Sequence, residues 1–134
     1  MSIRFAKPED CSQISSLDKH ISKGELLSAI RQKRVFIAEV NGTFAGWLRF
    51  NLFWDNTPFM NMLFVLEAHR NKGVGSQLTA RWESEMQASG YNLIMTSTLA
   101  SETAQFFYRK RKYQDAGSLL LPNEPLEIIF IKRI

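Results

Sequence analysis

The middle of the chain contains a strand, a glycine-bearing loop, a helix and a second strand, and this succession constrains the fold most strongly. Residues 59–65 form a mostly apolar run, which is typical of a strand buried inside a sheet. The apolar residues that then recur every four positions are Val74, Leu78, Trp82 and Met86. This spacing predicts a helix with one apolar face over residues 75–89, followed by a strand over residues 91–96. Two strands joined by a helical crossover should be parallel neighbours in one sheet.

Strands joined by short turns flank this unit on both sides. Residues 35–40 and 43–54 are rich in β-formers and are separated only by Asn41 and Gly42. An Asn-Gly pair favours a two-residue hairpin, because both of its turn positions require a positive φ. Two further strands are predicted over residues 116–121 and 126–131.

The N-terminal segment predicts one short strand and two helices. The strand covers residues 3–6, and the first helix opens at residues 8–10, where proline and two acids suit the first turn. An apolar stripe follows on this helix, and it consists of Ile14, Leu17 and Ile21. The second helix lies near residues 26–30.

A last helix over residues 101–110 completes the element order β α α β β β α β α β β. This order predicts a mixed, mostly antiparallel α/β sheet with a central parallel strand pair and helices on both faces. No repeat, linker or low-complexity stretch interrupts it, so we expect one domain over residues 1–134.

The composition excludes several classes of protein. With 45% hydrophobic residues in 134, the chain can build a core, and disordered or fibrous classes are excluded. The single cysteine, Cys11, rules out an internal disulfide and suggests a reducing compartment. His20 and His69 lie far apart and no pair of residues has metal-ligand spacing, so we expect no metal.

We expect a cytoplasmic protein that does not enter a membrane. No apolar run approaches the roughly 20 residues of a membrane span. The first five residues have no signal-peptide core. The formal net charge of +4 favours anionic partners in general, such as a phosphorylated small molecule or nucleic acid.

The loop between the central strand and its helix has the residues of an anion site. Arg70 and Lys72 bring positive charge, and Gly73 and Gly75 let the backbone turn tightly and approach a ligand. The helix that follows offers free N–H groups at its first turn, which suit a phosphate or pyrophosphate.

Two familiar glycine motifs do not fit this loop. The dinucleotide fingerprint needs a third glycine where the chain has Leu78. The nucleotide P-loop needs Gly-Lys-Ser/Thr, but Gly75 is followed by Ser76 and Gln77. Neither NAD nor ATP is therefore supported.

The stretch Arg70-Asn71-Lys72-Gly73-Val74-Gly75 resembles the Arg/Gln-x-x-Gly-x-Gly/Ala signature of the GCN5-related N-acetyltransferases (the GNAT family). The preceding apolar strand is similar too. So is the downstream Ala104-Gln105-Phe106-Phe107-Tyr108, which resembles the Ala-x-x-x-Tyr helix of the family. The likeness in element order extends over nearly the whole chain. Departures are Glu67 and Ser101, where the family often has Pro and Asn, and Arg111-Lys112-Tyr113 in place of a Lys-x-Gly-Phe turn.

The resemblance implies acetyl-CoA as the acetyl donor. In the family the central parallel strands splay apart, and a backbone bulge there aims an N–H at the thioester carbonyl. The residues that the resemblance places against the donor are Leu63, Phe64, Val65, Arg70, Asn71, Lys72, Gly73, Val74, Gly75, Ser76, Ser101, Ala104 and Phe107.

The resemblance also implies that Tyr108 is the general acid that protonates the departing thiolate. Many members carry a glutamate on the fourth strand as general base, but this strand reads Met60-Asn61-Met62. The nearest carboxylates in sequence are Glu39, Glu67 and Glu102. We therefore expect a water chain or a remote carboxylate to accept the proton of the amine.

The implied function is acetyl transfer to a primary amine, on a small molecule or on a peptide or protein, by direct attack. A non-catalytic CoA-binding sensor or regulatory module is the alternative, since the strand carboxylate is missing. The cations at residues 109–112 suit a solvated helix C-terminus better than nucleic acid. The acceptor has no recognisable code, and the chain is expected to act as a monomer or homodimer.

Overall fold

The computed structural model describes all residues from Met1 to Ile134. The strands are β1 (Ser2–Phe5), β2 (Val35–Val40), β3 (Thr43–Phe53), β4 (Thr57–Val65), β5 (Leu93–Leu99), β6 (Gln114–Leu119) and β7 (Glu127–Arg133). The helices are α1 (Cys11–Leu17), α2 (Lys23–Arg31), α3 (Val74–Ala88) and α4 (Ala104–Lys110), with short 3-10 turns at Pro8–Asp10 and Glu67–His69. No helix combines the length and the apolar character that crossing a membrane requires.

All seven strands form one sheet in the order β1-β2-β3-β4-β5-β7-β6. Only the central β4–β5 pair is parallel, and the crossover between these strands carries α3. Every other neighbouring pair is antiparallel. The predicted mixed, mostly antiparallel sheet with a central parallel pair is therefore confirmed.

Helices cover both faces of the sheet, as predicted, because alternate strand residues point to opposite sides. On one side α3 buries Leu78 and Trp82 in a core that includes residues of β2, β3 and β4. On the other side α1 and α2 bury Ile14 and Leu26 in a core with Trp47 of β3. Burying each such side chain contributes about 1.5–3 kcal/mol, so both layers hold the sheet.

Two tight turns set the register of the strands that lead to the cleft. Asn41 and Gly42 have φ of 52° and 75°, as the Asn-Gly hairpin requires. The turn between β3 and β4 uses Trp54 and Asp55, whose φ values are 55° and 63°. Because the turn is this short, β4 begins at Thr57, earlier than predicted.

The predicted stripe on the first helix is wrong. Helix α1 stops at Leu17, whose side chain is exposed, and Ile21 lies beyond the helix. The chain leaves the helix at Asp18, which adopts an extended conformation. The carboxylate of Asp18 binds Arg49 on β3, and this contact holds the chain in its new direction.

The last helix begins later than predicted. It starts at Ala104 instead of Ser101, because the N–H of Ala100 donates to the carbonyl of Leu126 and the residues between form a turn. Strand β5 is correspondingly longer and runs to Leu99, since all of its residues pair with β7.

Candidate active site

A cleft opens at the centre of the sheet, because β4 and β5 separate soon after they meet. The two strands pair only at Phe59↔Met95 and Met60↔Thr96. Beyond these pairs the edge of β4 that faces β5 has no strand partner. The cleft between them has a volume of about 870 Å³.

A β-bulge lies at the point where β4 turns away. Arg49 of β3 is opposite Met62 and Phe50 is opposite Met60, so Asn61 is an extra residue on β4. Such a bulge bends its strand and increases the local twist. The Asn61 side chain donates to the side chain of Asn51 at 2.8 Å, which holds the bulged residue on the β3 side.

Tyr108 lines the cleft from α4. Only 6% of this residue is exposed, and its ring packs against Tyr113 and Phe130 with centroid distances of 5.5 and 5.9 Å. Burial raises the pKa of the Tyr108 hydroxyl to about 12, and the neighbouring Thr96 hydroxyl offsets part of this rise. The Tyr108 hydroxyl therefore stays protonated at physiological pH.

The loop after β4 presents a row of unused backbone donors. None of the N–H groups of residues 71–76 donates to a protein acceptor, and no side chain caps α3. Asn71 and Gly73 have φ of 60° and 83°. Left-handed residues are common where successive backbone N–H groups surround an anion. The loop and the N-terminus of α3 thus have the free donors that an anion would require.

The two cations of this loop are anchored locally. The Arg70 Nε donates to the carbonyl of Val65 at 2.9 Å, and its guanidinium lies 5.3 Å from the centre of the Phe64 ring. The Lys72 Nζ donates to the carbonyl of Ala68 at 3.3 Å. Arg70 therefore ties the loop to the end of β4, and both cations remain exposed.

The two glycines of the loop have different roles. Gly73 requires its left-handed conformation, which an L side chain adopts only with strain. Gly75 has no such constraint, and a Cβ there would meet Val65 Cγ2 at 3.7 Å and the Phe107 ring at 3.9 Å. These are ordinary contacts, so a substituted side chain would strain the backbone at Gly73 alone.

The structure brings only some of the predicted site residues into the cleft itself. Leu63, Phe64, Ala104 and Tyr108 line it. The residues of the anion loop, from Arg70 to Ser76, lie just beyond the end of β4. Val65, Ser101 and Phe107 do not line the cleft. Ser101 is exposed in the turn before α4. The Phe107 ring lies next to Gly75 of the loop.

Several carboxylates of the cleft escape the sequence analysis. Besides Glu102, the lining includes Asp18, Glu124 and Glu127. Glu39 and Glu67 are not part of it, and Glu39 instead pairs with Arg4 at 2.9 Å. Only the strand order, in which β7 lies next to β5, brings Glu127 to the cleft. No group of three or more His, Cys, Asp or Glu side chains is arranged to hold a metal ion.

A buried ion pair forms part of the cleft wall. The Arg49 Nε donates to Asp18 Oδ2 at 2.7 Å, and the Trp47 indole N–H donates to the same oxygen at 3.1 Å. Burial acts to raise the pKa of Asp18, but the hydrogen bond and charge of Arg49 outweigh it and lower the pKa. Asp18 is therefore a carboxylate that keeps Arg49 in place.

The cations at residues 109–112 do not form one surface. Arg109 pairs with Asp115 at 2.8 Å, and Arg111 lies 3.5 Å from Glu83. Lys110 and Lys112 have no ion-pair partner within the chain. Two of the four charges are thus neutralised by acids.

The acetyltransferase (GNAT) domain model matches residues 31–115 of the chain. The matched segment contains the splayed strands, the anion loop and Tyr108. The chain therefore belongs to the GCN5-related N-acetyltransferase family, whose enzymes use acetyl-CoA as cosubstrate. No curated protein is detectably similar to it in sequence.

Solved structures with the same fold cover nearly the whole chain. Ard1 from Thermoplasma volcanium has a TM-score of 0.85 and 17% identity, over 99% of this chain and 97% of that one. The yncA protein of Salmonella typhimurium, solved with its cofactor acetyl-CoA, has a TM-score of 0.82 and 17% identity, over 99% and 93%. The PaiA N-acetyltransferase of Thermoplasma acidophilum, in complex with coenzyme A, has a TM-score of 0.82 and 16% identity, over 99% and 98%. At these identities the likeness establishes the shared fold.

Proposed function

We propose that this acetyltransferase moves the acetyl group of acetyl-CoA to a primary amine by direct attack, without a covalent enzyme intermediate. One observation carries the proposal: the splay of β4 and β5 joins an unpaired strand edge, a row of free N–H groups and a protonated Tyr108. Each of these three features suits a different part of an acetyl-CoA molecule.

The donor would extend from the anion loop into the cleft. The N–H groups of residues 71–76 suit its pyrophosphate, with Arg70 and Lys72 adding positive charge. The pantetheine amides would pair with the free edge of β4 at Leu63 to Val65. Ala104 would contact the arm, Phe107 would support the loop, and Ser101 has no assigned contact.

The chemistry needs few groups once the two substrates are aligned. The lone pair of the neutral amine attacks the thioester carbonyl, and a backbone N–H at the Asn61 bulge stabilises the oxyanion. The carbon–sulfur bond then breaks, and Tyr108 donates its proton to the sulfur. The surplus proton of the amine passes to water, since β4 carries no carboxylate, and Tyr108 regains a proton from water.

An activity screen tests the proposal. CoA release from acetyl-CoA is followed with a thiol reagent across a panel of amino acids, polyamines, aminoglycosides and peptides. We expect release that depends on one class of amine. Micromolar binding of acetyl-CoA by calorimetry without release on any amine would contradict the proposal and favour a CoA-binding sensor.

A further inference from the structure

The two walls of the cleft carry opposite charges. The wall formed by β3, β4 and the segment after α1 contains Arg49 and Lys19, with Asp18 as its one acid. The wall formed by β5, the turn that follows it, β7 and the β6–β7 connection contains three acids, which are Glu102, Glu124 and Glu127. An acceptor that fits this cleft should therefore carry charge of both signs.

The positive wall holds a fixed donor. The Arg49 side chain is 8% exposed, and its Nε and Nη2 both donate to Asp18. Its third nitrogen, Nη1, has no protein partner, and it is not sealed from solvent. A buried ion pair adds little stability compared with apolar packing, but it orients a guanidinium that a surface chain would leave mobile. Arg49 thus offers the N–H groups of a positioned Nη1 to a ligand in the cleft.

The negative wall holds acids without cations. No Lys, Arg or His lies within salt-bridge distance of Glu102, Glu124 or Glu127. Glu127 accepts a hydrogen bond of 2.9 Å from the hydroxyl of Ser97, one residue after the last pair of the splayed strands. Unpaired carboxylates in a chain of net charge +4 are a suitable site for an ammonium group.

Apolar side chains also line the cleft. They include Leu17, Trp47, Met62 and Phe64 on the positive wall and Leu119 and Leu121 on the negative wall. Leu17, Leu119 and Leu121 are about half exposed. Such a lining favours a ligand with an apolar body.

From these three features we infer that the acceptor is a zwitterionic amine with an apolar body, of the amino-acid type. Its carboxylate binds Arg49 Nη1, and its amine enters along the side of Glu127, next to the start of the splay. This inference rests on the proposed acetyl transfer and assigns Arg49 as a specificity-determining residue, positioned by Asp18.

A matched series of acceptors tests whether the enzyme recognises the carboxylate of the acceptor. Leucine, leucinamide and isoamylamine share one apolar body and differ in the group beside the amine. With rates expressed per unprotonated amine, we expect kcat/KM for leucine to exceed that for isoamylamine by about tenfold or more, the value of one charge-assisted hydrogen bond. Equal values would overturn the inference. A preference for leucinamide over leucine would also overturn it, in favour of a peptide N-terminus.

A double variant tests Arg49. Arg49→Gln with Asp18→Asn replaces the ion pair by neutral groups of similar size, and it leaves no unpaired buried charge. We expect the leucine/isoamylamine ratio to fall toward one. The control replaces the ion pair of α3, Arg81→Gln with Glu85→Gln, and should keep the ratio. A ratio retained in the first variant would overturn the role of Arg49. If that variant does not fold, Arg49→Lys, which keeps the charge and loses the fork, should lower the ratio.

A binding measurement separates this inference from the proposed function. If no amine is acetylated although acetyl-CoA binds, the proposed function fails. Calorimetry of leucine and isoamylamine with the protein–CoA complex then decides the inference by itself. Binding of leucine about tenfold tighter than isoamylamine supports a zwitterion site, and equal binding overturns it.

Discussion

The hydroxyl of Thr96 on β5 donates a hydrogen bond of 3.0 Å to the backbone carbonyl of Met60 on β4. These two residues are also the last pair that the strands share before they separate. The same hydroxyl lies close enough to Tyr108 to influence its pKa. One buried side chain therefore links the origin of the cleft to the proposed acid.

Replacing Thr96 by Val should remove the hydrogen bond between Thr96 and Met60 and destabilise the protein. Val keeps the shape of Thr but removes the donor, so the buried carbonyl of Met60 loses a partner. We expect the free energy of unfolding to fall by about 1–2 kcal/mol, as urea denaturation would measure. Thr98→Val is the matched control, because Thr98 lies on the same strand and makes no side-chain hydrogen bond. Equal effects of the two substitutions would contradict the role of Thr96.

Gly75→Asp should weaken the binding of acetyl-CoA without lowering the stability of the protein. Gly75 is the second residue of α3, and a Cβ there meets only ordinary contacts. An acid in the first turn favours the helix dipole, by about 0.3–1 kcal/mol, but repels a pyrophosphate on the same N–H groups. We expect a folded variant whose acetyl-CoA affinity, by calorimetry, falls about tenfold or more.

The control for this substitution lies at the same position of another helix. Gly24 is the second residue of α2, and a side chain there meets nothing within 4 Å. Gly24→Asp should leave acetyl-CoA affinity unchanged. An unchanged affinity in the folded Gly75→Asp variant would show that the pyrophosphate does not bind at this loop.

Much of the fold could be predicted because its signals are local. Asn41 and Gly42 define their hairpin by the φ values that they require. The four-residue spacing from Val74 to Met86 defines the buried face of α3, and all four of its apolar residues are buried. The glycine loop then follows from one strand, one turn and one helix in succession. None of these signals requires knowledge of distant residues.

The acceptor side of the cleft could not be predicted, because it depends on contacts between distant segments. Helix α1 ends before Asp18, and the carboxylate of Asp18 binds Arg49, which is 31 residues away. Glu127 reaches the cleft only because β7 inserts between β5 and β6. In the sequence, Asp18 has the pattern of a helix residue and Glu127 that of an exposed strand residue. Contacts between distant segments of the chain determine where Asp18 and Glu127 lie.

Burial of Tyr108 makes the free energy of unfolding depend on pH between about 10 and 12. Tyr108 titrates near 10 when unfolded, and burial raises its pKa to about 12 in the fold. The unfolded chain therefore loses this proton first, so stability is fully present below pH 10 and declines as pH rises from 10 to 12. Because a shift of one pKa unit corresponds to about 1.4 kcal/mol, the loss from this group is roughly 2–3 kcal/mol. Denaturation curves of Tyr108→Phe should show a shallower decline, and identical slopes would contradict the burial argument.

The pH dependence of the reaction should follow the acceptor. An amine must be neutral to attack, and β4 offers no carboxylate to remove its proton directly. We expect kcat/KM to rise with pH to a plateau whose midpoint moves with the pKa of the amine used. Acceptors of graded basicity would provide this measurement. A midpoint that stays fixed when the amine is changed would assign the deprotonation to a protein group such as Glu127.

Tyr108→Phe tests the proposed acid. The substitution keeps the ring that packs on Tyr113 and Phe130, and it removes only the hydroxyl. Because a positioned acid contributes typically 10²–10⁴-fold, kcat should fall by about that factor, with acetyl-CoA affinity nearly unchanged. Tyr113→Phe is the matched control. That hydroxyl is also buried, but it donates to Glu83 at 2.7 Å outside the cleft, so its loss should lower stability and leave kcat near wild type. If Tyr108→Phe keeps more than about half of the wild-type kcat while chemistry limits the rate, Tyr108 is a packing residue and another group protonates the thiolate.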